Sequence, residues 1–361
     1  MLNELTEIPE GLLDRESHEV CDILRVPTLI HLEGQQREPL FVSVLQHGNE
    51  DAGWLAMRDL LRDYAGRSLP RSLSLFISNV EAAQYRVRRL EHQIDYNRIW
   101  PGCDSTGTDE HRLMRQVWET MRERGTFASI DIHNNTGRNP HYACVNKLDN
   151  RFFNLAEQFS ETVVYFIKPT GVQSLAFAQF CPSVTIECGK PGEGDGVQHA
   201  RRFVEAVLNL EAICEQKYHA EMRLFHTVDI VKIPEHLSIG FDDEAKDISF
   251  IETLDQLNFI EQPEDTLIAH VSTQDRSVIE AWSESGQEVA DEYFVVDRGR
   301  LLTRRHLMPA MVSPRSGKAP WMAIMRPFPT RPSISTTHQA ARVCARPPPI
   351  MLPPLNRRSA S

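Results

Sequence analysis

The sequence of 361 residues has no apolar run of about 18 residues, so it offers no membrane-spanning helix. Its seven cysteines (Cys21, Cys103, Cys144, Cys181, Cys188, Cys214 and Cys344) include no CxxC pair. A cysteine zinc site is therefore unsupported, and the odd, scattered set reads as free thiols in a reducing compartment. The opening stretch MLNELTEIPEGLLDRESHEV is acidic and lacks the apolar core of a signal peptide, so the cytoplasm is the expected location. Positive charge is short: 39 Lys and Arg face 50 Asp and Glu, a net charge of -11, which argues against nucleic acid as a partner. Acids are absent after Asp297, where 12 Lys and Arg and most of the later prolines gather. From Val312 the chain has no sustained helix or strand period, and the expectation is a disordered, basic, proline-rich tail over 312–361.

The first two-thirds alternates short apolar runs with amphipathic ones. Strands are expected at 39–46 (PLFVSVLQ), 72–79, 129–134 (SIDIHN), 162–167 and 183–189 (SVTIECG). Helices are expected between them, as in DAGWLAMRDLLRDYAG, which Gly66 stops, and DEHRLMRQVWETMRERG, with Leu113, Val117 and Met121 at four-residue steps. This alternation implies an α/β layer structure with a largely parallel central sheet over residues 1–215. The segments FHTVDIVKI, LIAHVST and EYFVVDRG then imply a β-rich subdomain over 216–311.

Chemistry gathers at the ends of the expected strands, where ligands collect on open α/β sheets. His47 and Glu50 follow the strand 39–46 at HGNE, and a His and a carboxylate so spaced can close on one zinc ion. The same pair also suits a plain charged surface turn. His133 ends SIDIH as a metal ligand or a core histidine. Asp131, two residues earlier on the same side of the strand, suits an orienting partner for its ring. Glu187, in the apolar run SVTIECG, is a costly buried carboxylate: either a base with a raised pKa or half of an ion pair. Asn97 and Arg98 precede a Trp-Pro-Gly turn, and the guanidinium is either a fork for a substrate carboxylate or a structural cover for the loop.

The ordered set HGNE (47–50), NVEAAQYRVRRLEHQIDYNRIWPG (79–102), DIHNNTG (131–137) and TIECG (185–189) resembles the zinc carboxypeptidase-like superfamily, in its succinylglutamate desuccinylase/aspartoacylase branch. The resemblance covers roughly residues 25–215. It implies a doubly wound α/β zinc hydrolase fold with a small C-terminal β-rich subdomain. It implies one zinc per chain on His47, Glu50 and His133, Glu187 as general base and acid, and Asn97 and Arg98 at a substrate carboxylate.

Two departures stand out. The branch has an Arg seven residues before the Asn of its Asn-Arg pair; here that position is Leu90, with Arg88 and Arg89 beside it, and Arg89 is taken as the residue that polarises the scissile carbonyl. The branch also has a substrate-binding Arg about ten residues before the catalytic Glu, and GVQSLAFAQFCPS has none. The expected activity is hydrolysis of an amide in a small, carboxylate-bearing N-acyl amino acid, with a C-terminal-trimming metallocarboxypeptidase or an inactive binding protein on the same fold as alternatives.

Overall fold

In the computed structural model, residues 2–328 are described except for 106, 136, 217–220, 243–245, 274–276 and 313–321. The first part runs β1 (Asn3–Leu5), β2 (Thr28–Leu32), β3 (Gly34–Val44), α1 (Ala52–Asp63), β4 (Leu69–Ile77), α2 (Val80–Gln84), α3 (Asp109–Glu123), β5 (Ala128–His133), β6 (Tyr142–Val145), α4 (Asn150–Glu157), β7 (Thr162–Tyr165), α5 (Gln173–Phe177), β8 (Ser183–Glu187), α6 (Gly194–Leu208) and β9 (Arg223–Lys232). The remainder is β10 (Ile239–Phe241), β11 (Ile248–Phe250), β12 (Leu267–Val271), β13 (Glu280–Ser283), α7 (Ala290–Tyr293), β14 (Phe294–Asp297), β15 (Arg300–Thr303), β16 (Met308–Ala310) and β17 (Met322–Pro327).

The large sheet has the order β1-β2-β4-β3-β5-β8-β6-β7-β9-β17-β16, with β13 also on β9. Its centre, β4-β3-β5-β8, is parallel. The reason is in the side chains. Leu40 to Val44 is apolar except for Ser43 and buried throughout, the mark of a strand covered on both faces. Leu40, Val42 and Val44 face a core shared with α1, α4 and α6. Phe41 points the other way, stacked on Phe177 with ring centroids 4.5 Å apart, into a core shared with α3 and α5. An aromatic buried this fully is worth about 3–5 kcal/mol over alanine. Helix α3 begins where Thr108 accepts from the His111 amide, with Asp109 and Glu110 at the positive end of the dipole. The product is a mixed α/β fold with a large, mostly parallel sheet. No helix among the described residues is long and apolar enough to cross a membrane.

Strands β10-β11-β12-β15-β14 form a second sheet of five, whose apolar core is shared with β9, β13 and β17 of the large sheet. Two expectations fail around it. FHTVDIVKI does not belong to this small sheet: β9 pairs with β7, β13 and β17 in the large one. The tail expected from 312 is also not all disordered, because Met322–Pro327 forms β17 between β9 and β16, with Met322, Ala323, Ile324 and Met325 buried. Four consecutive apolar side chains, Met322 to Met325, give this segment its burial. The rest of the expected tail lies outside the described residues.

Candidate metal centre

Four loops at the carboxyl ends of the parallel strands build the site. The chain leaves β3 through Leu45, whose φ of 56° turns it sharply toward His47. Gly48 then runs against α2, where a Cβ would lie 2.2 Å from the carbonyl carbon of Ala82 and the amide nitrogen of Ala83, so no other residue fits. His47 and Glu50 are thereby held at the start of α1. Strand β5 delivers His133, β8 delivers Glu187 beside it in parallel register, and the short turn Tyr96–Arg98 brings Asn97 to His133.

Glu50 sits between the two imidazoles. Its Oε1 is 2.8 Å from His47 Nδ1 and its Oε2 is 2.7 Å from His133 Nδ1. One ligand atom from each residue lies within 4.8 Å of the others, and all three side chains are buried. Burial alone would raise the Glu50 pKa, but the two histidines outweigh it and hold the carboxyl well below the usual range. The far nitrogen of each ring is also held by a carboxylate: His47 Nε2 is 3.1 Å from Asp95 Oδ1, and His133 Nε2 is 2.8 Å from Asp131 Oδ2. Asp131 is fully buried and accepts from Ser43 Oγ at 2.7 Å and Gln46 Nε2 at 2.6 Å. Two imidazoles and a carboxylate that converge, with each ring fixed from behind, can hold a metal ion.

Glu187 lies next to this group, buried, with no hydrogen-bond partner for Oε2. Burial pushes its pKa up to about 7, against the opposing pull of His133. Asn97 bridges elements: its Nδ2 is 3.2 Å from His133 Nε2, and its Oδ1 accepts from the Gln173 amide at 3.1 Å. Arg98 donates to the Asn97 carbonyl at 2.6 Å and lies close enough to Asp95, Arg88 and Glu50 to feel their charges.

Arg89 is not in the site. Its Nη1 donates to the carbonyls of Gln93 at 2.6 Å and of Leu90 and Glu91, which ties up its own loop. Arg88 takes the place expected of it, 3.5 Å from Glu50 Oε1 and 2.9 Å from Asp95 Oδ2. Arg86, at φ 53°, turns the backbone just before these positions, so spacing could not tell which arginine faces inward. Sequence reasoning also missed Asp95, although IDYNR places it two residues before Asn97. There its side chain caps the turn by accepting from the Asn97 amide at 3.0 Å and reaches His47 from the same oxygen.

Fold and site together describe a mixed α/β protein with a candidate metal centre at its strand ends. Residues 39–214 match the family model of the succinylglutamate desuccinylase/aspartoacylase catalytic domain. The fold is shared with succinylglutamate desuccinylase from Chromobacterium violaceum, at 16% identity and a TM-score of 0.56, over 84% of this chain and 89% of that one. It is shared with a succinylglutamate desuccinylase/aspartoacylase from Rhodobacter sphaeroides, at 14% identity and 0.54 over 84% and 89%. The product-bound ectoine utilization protein EutE (DoeB) from Ruegeria pomeroyi also shares it, at 16% and 0.53 over 83% and 84%. No curated protein matches the sequence.

Proposed function

We propose that this chain is a zinc-dependent amidohydrolase of the carboxypeptidase-like fold that cleaves a small, carboxylate-bearing N-acyl amino acid. The observation that carries the reading is the buried convergence of His47, Glu50 and His133 beside Glu187, whose Oε2 has no partner. The donor set is one that zinc takes at catalytic sites, with three protein ligands. Bound there, zinc supplies Lewis-acid polarisation and an acidified water.

The chain's own residues do the rest. Asp95 and Asp131 fix the two imidazoles so that both Nδ1 atoms face Glu50. Arg98 holds the substrate carboxylate with its planar fork. Arg88 turns toward the scissile carbonyl oxygen as negative charge develops there. Glu187 Oε2 takes a proton from the attacking water and returns it to the leaving nitrogen as the C–N bond breaks. The turn Leu254–Leu257, which follows β11, reaches the stretch after His133, where the Arg138 amide donates to Asp255. A neighbour so near the His133 strand end supports a small substrate over a polypeptide. The six unpaired cysteines among the described residues suit a reducing, cytoplasmic setting.

The test is a screen of zinc-loaded protein against N-acyl amino acids and short peptides, read by amine release. Hydrolysis of the former and not the latter is expected. Arg98→Ala should then lose about 1.5–3 kcal/mol of transition-state binding, the scale of a hydrogen bond to a charge. Release from peptides alone would replace this reading with a metallocarboxypeptidase, and no release at all would reject catalysis.

A further inference from the structure

Two buried donors beside Glu187 have no assigned use. Tyr142 is directly opposite Glu187 in the antiparallel pairing of β6 with β8, so both side chains leave the same face of the sheet. Tyr142 is 1% exposed, and its hydroxyl has no hydrogen-bond partner. Asn135 is 7% exposed; its amide faces the Glu187 carboxylate and helps to lower that group's pKa, but Nδ2 makes no hydrogen bond of full geometry. The orientation of that amide is set from behind. Asn139 Nδ2 donates to Asn135 Oδ1 at 3.0 Å, and the Met311 amide donates to Asn139 Oδ1 at 3.2 Å. The ring of Tyr142 is fixed as well, packed on Phe259 with centroids 4.9 Å apart.

Buried donors without acceptors destabilise a fold, and native proteins keep few of them. Here two of them, rigidly mounted, lie near a carboxylate whose Oε2 is itself unpartnered. They are uncharged. A carboxylate buried against them would need a cation. Residues 171–183 contain neither Lys nor Arg, Lys190 faces Asp255 at 3.5 Å, and Arg88 is engaged by Asp95 and Glu50. That leaves Arg98 for one substrate carboxylate. Taking the amidohydrolase reading above as its basis, we propose that Tyr142 Oη and Asn135 Nδ2 form a neutral two-donor subsite. It receives an uncharged oxygen, such as a hydroxyl, on the acyl portion of the substrate. The preferred substrate then carries a single carboxylate, on its amino-acid portion, and a polar, uncharged acyl group.

Three alanine derivatives separate the possibilities: N-glycolyl and N-propionyl, which match in size, and N-malonyl, which is larger and ends in a carboxylate. Their binding to the zinc-loaded full chain is measured by calorimetry, with amine release followed in parallel, for the parent and for Tyr142→Phe. In the parent, the glycolyl compound should bind about 10-fold or more tighter than the propionyl one, the scale of discrimination by an unsatisfied buried donor. The malonyl compound should bind more weakly than the glycolyl. In Tyr142→Phe the glycolyl preference should collapse. A third readout needs no ligand: because the hydroxyl has no partner, Tyr142→Phe should melt at the same temperature as the parent or higher. Glycolyl preference without amine release would support the subsite and reject the amidohydrolase reading. Equal or no binding of the glycolyl and propionyl compounds by the parent, an unchanged preference in Tyr142→Phe, or a lowered melting temperature would each overturn the subsite.

Discussion

Asp95→Asn tests the site's architecture most sharply, because Asp95 holds His47 from behind through Oδ1 while its other oxygen engages Arg88. Asparagine keeps the size and one acceptor oxygen, so the bond to His47 Nε2 survives as a neutral one. The charge is lost, and with it part of the 1.5–3 kcal/mol that a charged hydrogen bond contributes. Each 1.4 kcal/mol is tenfold in affinity, so zinc binding should weaken by about 10-fold. The Asp95 side chain is 20% exposed and Asp131 is not exposed at all. Asp131→Asn therefore removes a less screened charge, turns an amide NH2 toward either His133 or the Ser43 and Gln46 donors, and should weaken zinc by nearer 100-fold, the upper range for partners behind a ligand. Competition with a chromogenic chelator at neutral pH reads both constants, and melting of the metal-free proteins controls for unfolding. If both variants hold zinc as tightly as the parent, the carboxylates do not set the imidazoles and the proposed ligand geometry is wrong.

Other expectations follow from the same map. Glu187→Gln should keep its zinc and lose about 10²–10⁴-fold in kcat, read by metal analysis and turnover on one sample; loss of the metal would make Glu187 a ligand. Arg88→Ala should cut kcat by about 10²–10³-fold, the scale of one lost oxyanion donor, whereas Arg89→Ala should stay within about twofold; the reverse ranking would restore Arg89 to the site. His199 is pushed down to about 4 by burial and by His141, whose Nδ1 is 2.8 Å from its own. The unfolded chain takes up that proton near 6.5 and the folded one only near 4. Stability should thus be full above about 6.5 and fall as pH drops toward 4, by about 1–2 kcal/mol after solvent screening. His199→Phe, which keeps the stack on Phe159, should flatten that slope in denaturation midpoints, and an unchanged slope would exclude the pair as its source.

The parts of the site legible in the sequence are those that end buried strands. His47, His133 and Glu187 each interrupt or close an apolar run, where a polar residue is conspicuous. Asp95 and Arg88 come instead from the irregular stretch between α2 and α3, where no period constrains direction and one residue of positive φ changes which side chain points inward. In the fold, β3, β5 and β8 are plain because both faces are covered. Strand β6, only four residues of YACV, is too short to show a period. FHTVDIVKI alternates as any half-exposed strand does, and alternation cannot say which of two sheets it joins.

Strand β9 gains its β17 neighbour only after about 90 further residues, including the whole small sheet, have been made. At a synthesis rate of about 5–20 residues per second, that edge of β9 waits on the order of 5–20 s in the nascent chain. Over this interval its unpaired amides and carbonyls are open to any extended strand nearby, another nascent copy included. The order of the chain thus makes yield during expression sensitive to translation speed and chaperone supply, even where the finished protein is stable.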